Sequence, residues 1–206
     1  MSRKLQLTLA AVAVIATKPA LLLGNPDDPA SSRDQTISEL EPADQKEMGW
    51  QIVNDGVMGG LSKGNIEFAD GVMKFWGILS LENNGGFSLA ETRKLNLDLS
   101  NDLGILLRVR GDGRTFSIRL KSDARFRNMP VSFAGELPTT KGEWQQVKVP
   151  FSSFKGGFRG RNLPDAVLDT SQIQQLGIIL GDKQAGPFQI EVDWIRTYGK
   201  GQGNND

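Results

Sequence analysis

Apolar residues alternate with polar residues between Trp50 and Tyr198, and turn residues separate short runs of this pattern. A period of two directs alternate side chains to opposite faces of a β-strand. Many of the chain's 24 glycines stand between the runs, as in Gly59-Gly60 and Gly156-Gly157. The region shows no long stretch with the period of an amphipathic helix. Short strands at this spacing predict an all-β domain, either a sandwich or a barrel.

The strongest local signal is Asp112-Gly113, which lies between two alternating runs. Asp-Gly favours a two-residue turn, because both central positions of such a turn take positive φ. The pattern predicts a β-hairpin in which Gly111 pairs with Arg114, and the turn alone accounts for Asp112. One face of this hairpin holds six apolar residues: Ile105, Leu107, Val109, Phe116, Ile118 and Leu120. The other face carries Leu106, Arg108, Arg110, Thr115, Ser117, Arg119 and Lys121.

The absence of histidine and cysteine from the chain limits its chemistry. It excludes Ser-His-Asp triads, cysteine nucleophiles, disulfides and metal sites that need imidazole or thiolate ligands. A carboxylate-based glycoside hydrolase remains an alternative, but it needs two carboxylates roughly 5–9 Å apart. Nothing in the sequence pairs the available candidates, which are Glu67, Asp70, Glu82, Glu91, Glu191 and Asp193. We therefore predict a non-enzymatic protein without a cofactor or a metal site.

The charges of the chain balance, with 24 lysines and arginines against 24 aspartates and glutamates. No overall charge draws the protein to nucleic acid or to an anionic membrane. We therefore expect no nucleic-acid partner, and membrane contact only through the N-terminal segment.

The N-terminal segment differs in composition from the rest of the chain. Arg3 and Lys4 precede an uncharged, mostly apolar run of 13 residues, Leu5 to Thr17, which is shorter than the roughly 20 residues that span a bilayer. A basic start followed by a short apolar run is typical of a secretory signal peptide. A buried helix and an organelle transit peptide are the alternatives.

The domain organisation follows from these composition changes. We predict a signal peptide or membrane anchor over residues 1–24, a disordered linker over 25–35, the β-sandwich domain over 36–199 and a flexible tail over 200–206. The chain would then be secreted, periplasmic or tethered to a membrane. A mitochondrial or cytoplasmic-side location is the alternative if the segment is not an export signal.

Five segments carry a family resemblance, in the order in which the family has them. They are Trp50 to Ser62, Asn83 to Phe87, Arg110 to Thr115, Trp144 to Phe154 with Arg159-Gly160, and Gly181 to Phe188 running into Asp193-Trp194-Ile195. Together they resemble the complex I intermediate-associated protein 30 family over about residues 50–198. The resemblance implies a jelly-roll-like sandwich similar to galactose-binding and carbohydrate-binding modules. It also implies a chaperone-like role in assembling respiratory complex I, with subunits of that complex as partners.

Seven residues are candidates for contact with a partner or ligand: Asn54, Asp55, Arg108, Arg110, Arg119, Lys121 and Trp144. Asn54 and Asp55 could form a polar ligand-binding or Ca²⁺-binding loop, although an Asx-turn accounts for them equally. The four cations share one face of the predicted hairpin. They would form a solvated face or a docking surface for an acidic partner or anionic glycan. Glu191 and Asp193 would neutralise them if the strands are adjacent.

The tryptophans decide between a protein-binding and a sugar-binding surface. Trp194 is in phase with Phe188, Ile190 and Val192, which predicts that it lies in the core. Trp144 is out of phase with the apolar residues that follow it, so it is either exposed or beyond a bulge. Exposed rings on a polar face favour a carbohydrate-binding module, and tryptophans beneath a charged face favour protein binding. The leading prediction is a binding or assembly-factor domain that acts through protein contacts.

Overall fold

The structure is a computed structural model, and it describes residues 35–199. The predictions for the N-terminal segment, for nearly all of the linker and for the tail lie outside the described residues. Within residues 35–199, no helix has the length and apolar composition needed to cross a membrane.

Short strands make up most of the described chain, with one brief α-helix, α1 (Pro42–Glu47), near its start. Short 3-10 turns lie at Asp55–Met58, Glu82–Asn84, Phe151–Ser153 and Thr170–Gln172. The strands in chain order are β1 (Thr36–Ser38), β2 (Gln51–Asn54), β3 (Lys63–Ala69), β4 (Val72–Leu79), β5 (Ser88–Glu91), β6 (Asp102–Gly111), β7 (Thr115–Lys121), β8 (Arg125–Phe126), β9 (Met129–Pro130), β10 (Ser132–Pro138), β11 (Trp144–Pro150), β12 (Lys155–Phe158), β13 (Arg161–Asn162), β14 (Gln175–Leu180) and β15 (Gly186–Gly199).

Two antiparallel sheets form the sandwich. The first sheet has the order β11-β6-β15-β4-β3, with β1 also paired to β15. The second sheet has the order β13-β12-β10-β7-β14-β5-β2, and β8 pairs with β9 alone. The predicted antiparallel β-sandwich is therefore confirmed.

The core lies between the inner faces of the two sheets. The six apolar residues that the alternation assigned to one face are all fully buried there: Ile105, Leu107, Val109, Phe116, Ile118 and Leu120. Phe75 and Phe188 from the first sheet meet edge to face, with ring centroids 5.0 Å apart. Aromatic pairs in this geometry contribute beyond the area that they bury.

The predicted hairpin at Asp112-Gly113 is wrong. β6 pairs with β11 and β15 in the first sheet, whereas β7 pairs with β10 and β14 in the second sheet. Of the two turn residues only Gly113 has positive φ, at 95°, so the two-residue hairpin turn is not formed. The turn carries the chain from one sheet to the other, so that Val109 and Phe116 reach the same core from different sheets.

Trp194 is buried, as predicted, but it does not lie on the predicted face. A β-bulge between Val192 and Trp194 shifts the register of β15, so that Trp194 lies opposite Arg108 and Ile195 lies opposite Leu107. A bulge inserts one extra residue and so reverses the faces of those that follow. Trp194 is only 9% exposed, but it is on the outer face of the first sheet, where the Arg196 guanidinium lies 4.5 Å from its ring.

Candidate functional site

A buried carboxylate joins two loops at one end of the sandwich. Asp55, at the start of the 3-10 turn after β2, is fully buried. Its Oδ1 accepts a hydrogen bond from the Ser62 amide at 3.0 Å, and its Oδ2 accepts from the Ser62 hydroxyl at 2.5 Å. Oδ2 also accepts from the amides of Gly86 at 2.6 Å and Phe87 at 3.2 Å. One side chain therefore connects the loop over residues 55–62 to the loop over residues 80–87.

The glycines of these loops allow the backbone to approach Asp55 closely. A Cβ atom on Gly60 would lie 2.3 Å from the Asp55 Cγ, and one on Gly85 would lie 2.6 Å from its Oδ2. Real Cβ contacts at these distances would force the loops apart. The same contacts explain why the sequence has glycine at both positions.

Asn54 acts beside Asp55 as a second internal connection. Its Oδ1 accepts hydrogen bonds from the Gly64 amide at 3.1 Å and from the Ser88 hydroxyl at 2.7 Å. These contacts join β2, an edge of the second sheet, to β3, an edge of the first. Both candidate side chains at this loop thus bind groups of the chain itself. Residues 35–199 hold no cluster of three or more acidic side chains suited to a metal ion.

The environment of Asp55 favours its charged form. Burial by itself raises the pKa of this carboxyl, but the hydrogen bonds from Ser62, Gly86 and Phe87 outweigh burial and hold the pKa below its usual value. Asp182 has the same balance. Burial alone raises the pKa of its carboxyl, but the contacts with Arg114 and the Gln184 amide outweigh burial and hold the pKa below its usual value. Both carboxyls are therefore stronger acids in the folded chain than in the unfolded chain.

This shift predicts how stability depends on pH. A carboxyl with a lowered folded-state pKa stabilises the fold above its unfolded pKa, about 3.9 for aspartate, and loses that contribution as the pH falls through the folded value. We expect the urea midpoint to be steady above about pH 5 and to fall below about pH 4. Asp182→Asn should make this acid decline shallower. An unaltered decline in that variant would contradict the assignment.

Large apolar side chains are exposed on and beside the two loops that Asp55 connects. Met58 is 59% exposed, Leu61 50%, Ile78 60% and Leu81 43%. We call these four residues the loop-end patch. Ile78 and Leu81 also line a shallow cleft of about 550 Å³, together with Ala185 and Gly186. Sequence reasoning missed this patch, although large apolar residues inside glycine-rich loops are a usable signal because such loops offer little burial.

The outer face of the first sheet carries a row of alternating charges. Successive cross-strand pairs run from Trp144 to Arg110, Glu191, Lys74 and Glu67. The Arg110 Nε donates a hydrogen bond to Glu191 Oε2 at 2.7 Å. A shallow depression of about 200 Å³ lies along this row.

Trp144 and Arg108 complete this charged surface. Arg108 forms an ion pair with Asp193, just as Arg110 does with Glu191. Glu191 and Asp193 thus neutralise two of the four cations that were predicted to pair with them, Arg108 and Arg110. Both guanidinium groups lie 4.8 Å from the centre of the Trp144 ring, a distance typical of cation–π contacts.

The other aromatic rings of this face also have cations beside them. Lys74 lies 5.3 Å from the ring of Trp76, Lys148 lies 5.2 Å from that of Tyr198, and Arg196 covers Trp194. The tryptophans of the first sheet therefore lie beneath charged groups.

The prediction that four cations share one face is wrong. Arg119 and Lys121 lie on the outer face of the second sheet, because β7 belongs to that sheet. Lys121 Nζ donates to Glu91 Oε2 at 3.0 Å and to Gln175 Oε1 at 2.8 Å. Arg119 donates to the Ser132 hydroxyl. These two cations are thus engaged within the molecule, on the side opposite to Arg108 and Arg110.

Comparison with known proteins identifies relatives of the chain. The family model for complex I intermediate-associated protein 30 matches residues 39–192. The mitochondrial complex I intermediate-associated protein 30 of Mus musculus is 36% identical over 109 residues, which is 52% of this chain and 33% of the mouse protein. The probable counterpart of Caenorhabditis elegans is 35% identical over 129 residues, or 60% of this chain and 36% of the relative. The chain thus spans about a third of the length of these relatives.

Solved structures of similar shape include a family 11 carbohydrate-binding module of a cellulosomal cellulase of Clostridium thermocellum. It superposes with a TM-score of 0.63 at 14% identity, over 84% of this chain and 98% of the module. At that identity the likeness shows the fold alone.

Proposed function

This chain belongs to the complex I intermediate-associated protein 30 family, and on that premise we propose that it is a non-enzymatic binding domain that assists assembly of NADH:ubiquinone oxidoreductase. It acts through protein–protein contacts. The names of its mouse and C. elegans relatives support this role, since both are called complex I intermediate-associated proteins.

The observation that carries the proposal is the loop-end patch. Its four large apolar side chains are 43–60% exposed, on and beside loops that the Asp55 hydrogen bonds hold in place. The two loops that carry these side chains are joined by the Asp55 contacts and by a hydrogen bond from the Asn83 side-chain amide to the Gly59 carbonyl oxygen at 3.1 Å. Large exposed apolar side chains brought together in this way are typical of protein interaction sites. Loops that are already ordered lose little conformational entropy when a partner binds. A partner segment with an apolar surface would therefore bind here.

The outer face of the first sheet continues this surface. Ile78 belongs to the loop-end patch and also points outward on β4, as Trp76 does. We propose Arg108, Arg110 and Trp144 as polar contacts at the margin of the same interface. Asn54 and Asp55 support the loops from inside. The proposal does not extend to Arg119 and Lys121, whose charged groups bind side chains of this chain.

A carbohydrate-binding module is the alternative that the fold suggests. Sugar-binding modules need flat aromatic faces that stack on pyranose rings. Here the Trp144 ring lies against two guanidinium groups, and Trp76 lies beside Lys74. A sugar would have to displace these cations, so the geometry favours a protein partner.

A carboxylate-based hydrolase fits the depression on the first sheet poorly. Glu67 and Glu191 both line it, but Lys74 stands between them on the intervening strand. Glu191 also forms an ion pair with Arg110, so its carboxylate is engaged within the chain and is not presented to a substrate.

The mitochondrial names of the relatives support the alternative location over export. We propose that the chain works in the compartment where complex I intermediates form. Mass spectrometry of the N-terminus of protein purified from fractionated host cells tests this location. Recovery of the chain outside that compartment would contradict the assembly role.

Polar substitution of the patch tests the function directly. We expect the tagged wild-type chain, expressed at its native level, to co-purify complex I subunits and to comigrate with their assembly intermediates on native gels. Met58→Ser, Leu61→Ser and Leu81→Ser combined should reduce this recovery by about tenfold or more. Folding should be retained, because exposed positions tolerate such changes.

The matched control combines Leu103→Ser and Val167→Ser, which are exposed apolar residues outside the loops. This control should keep wild-type recovery. Equal loss in both variants, or full recovery with the patch removed, would refute the assignment of the interface.

A further inference from the structure

Two tight hairpins, β12–β13 at an edge of the second sheet and the separate pair β8–β9 beside it, each have an arginine at the tip. The β8–β9 turn consists of Arg127 and Asn128, with φ of 51° and 63°, and the β12–β13 turn consists of Arg159 and Gly160, with φ of 47° and 79°. Both are two-residue turns that need positive φ at each central position. Asn, Asp and Gly tolerate that conformation, whereas arginine seldom adopts it. Backbone conformations of this kind tend to occur at functional positions.

The two hairpins pack against each other through aromatic rings. Phe126 and Phe158 have ring centroids 5.6 Å apart. The guanidinium groups of Arg127 and Arg161 lie 5.4 and 5.5 Å from the Phe126 ring, and that of Arg159 lies 5.4 Å from the Phe158 ring. A guanidinium held over a ring keeps its N–H donors free at its edge. We call Arg125, Arg127, Arg159 and Arg161, with these two rings, the arginine patch.

The charge of this patch is not balanced. Residues 123–130 and 155–165 contain five cations and two carboxylates, Asp123 and Asp165. None of the ion pairs found within residues 35–199 involves any of these seven side chains. On the first sheet, by contrast, both Arg108 and Arg110 have a carboxylate partner. Arg125 donates hydrogen bonds to the carbonyl oxygens of Ser122 and Ala124, but it has no carboxylate partner. A concentration of cations without carboxylate partners in a chain of zero net charge indicates a site for an anionic partner.

We propose that the arginine patch binds an acidic segment, rich in Asp and Glu, of a partner protein. Planar guanidinium groups match carboxylates through paired hydrogen bonds. A membrane surface fits less well, because Phe126 and Phe158 are half-buried against each other, which leaves Met129 as the one large apolar side chain of the two hairpins that is open to lipid. The patch shares no residue with the loop-end patch, so this proposal does not depend on the proposed assembly role.

The test measures binding of the protein to a labelled peptide of alternating Asp, Glu and Gly by fluorescence anisotropy. A peptide in which Asn and Gln replace Asp and Glu is its uncharged twin and serves as the control. The full-length protein should bind the acidic peptide and not its twin. The double variant Arg127→Asn, Arg159→Asn removes two charges while Asn tolerates the turn backbone. We expect binding to weaken by about tenfold or more, with the melting temperature maintained or raised.

The matched control is Lys141→Asn with Lys183→Asn. Both lysines are exposed and lie outside the patch, and Lys183 also has positive φ, at 61°. The control should bind the peptide within twofold of wild type. Equal weakening in both variants would overturn the proposal, because it would show a general charge effect.

Two further results would also overturn the proposal. One is the absence of acidic-peptide binding, with or without sedimentation of the protein on phosphatidylserine vesicles. The other is unchanged binding by Arg125→Gln, Arg161→Gln, a second variant whose substitutions lie outside the strained turn positions. We expect this second variant to weaken binding as the first does.

Discussion

Asp55→Ala is expected to lower the free energy of unfolding by about 3 kcal/mol or more. The substitution leaves the amides of Ser62, Gly86 and Phe87 without their acceptor in a region where Asp55 itself is fully buried. Each buried donor without an acceptor costs about 1–3 kcal/mol, and small domains have only about 5–15 kcal/mol in total. Urea denaturation followed by tryptophan fluorescence measures the change.

Two further variants separate the carboxylate from general damage to the loop. Asp55→Asn keeps the shape but presents an amide N–H to other donors, so it should also destabilise the fold, by less than alanine does. Asp165→Asn changes an exposed aspartate that belongs to none of the ion pairs found within residues 35–199, and it should leave the urea midpoint unchanged. An Asp55→Ala midpoint equal to that of wild type would show that other groups or water satisfy the donors.

The same variant links stability to the proposed interface. Without Asp55 the loops over residues 55–62 and 80–87 lose their shared anchor, so the loop-end patch should become disordered even where the core stays folded. Limited proteolysis should then cut within these loops before it cuts any strand of the sandwich. A wild-type proteolysis pattern would show that the loops are held by other contacts.

The faces of the strands could be predicted from the sequence because side-chain period depends only on local geometry. Ile105, Leu107 and Val109 were assigned correctly to the core, and so were Phe116 and Ile118. The pairing of the strands was predicted wrongly. An alternating pattern shows which side of a strand is buried. It does not show whether two successive strands pair in one sheet or lie in the two opposite sheets of a sandwich, because both arrangements bury the same sides.

The candidate site was harder to predict for two physical reasons. A β-bulge reverses the phase of a strand without any marker in the apolar pattern, and this one places Trp194 on the outer face of the first sheet. A buried aspartate also has the same sequence context as one in a solvated turn. Only the contacts of Asp55 with Ser62, Gly86 and Phe87 show which of these it is, and those contacts are between segments distant in the chain.

Arg114→Met is expected to destabilise the fold by about 3–5 kcal/mol. Arg114 and Asp182 are only 13% and 10% exposed, and the guanidinium donates from Nε to Asp182 Oδ2 at 2.9 Å and from Nη2 to Oδ1 at 2.6 Å. It also donates to the carbonyl oxygens of Pro187, at 3.0 Å, and of Gln184. Removing it leaves a buried carboxylate unpaired and frees the loop that leads into β15. Arg114→Lys should give an intermediate loss, because an ammonium group cannot make the two parallel bonds.

A double-mutant cycle decides whether the charge pair or the loop contacts dominate this effect. If the unpaired Asp182 causes most of the loss, adding Asp182→Asn to Arg114→Met should restore part of the stability, with a coupling energy of about 1–3 kcal/mol.

The pH dependence of the Arg114→Met destabilisation tests the same assignment independently. Without Arg114 the pKa of the Asp182 carboxyl rises, since burial is then opposed by fewer hydrogen bonds. The destabilisation should therefore shrink as the pH falls below about 4, where that carboxyl takes up a proton. Additive single losses at every pH would instead assign the effect to the carbonyl contacts with Gln184 and Pro187, and so to the position of the loop before β15.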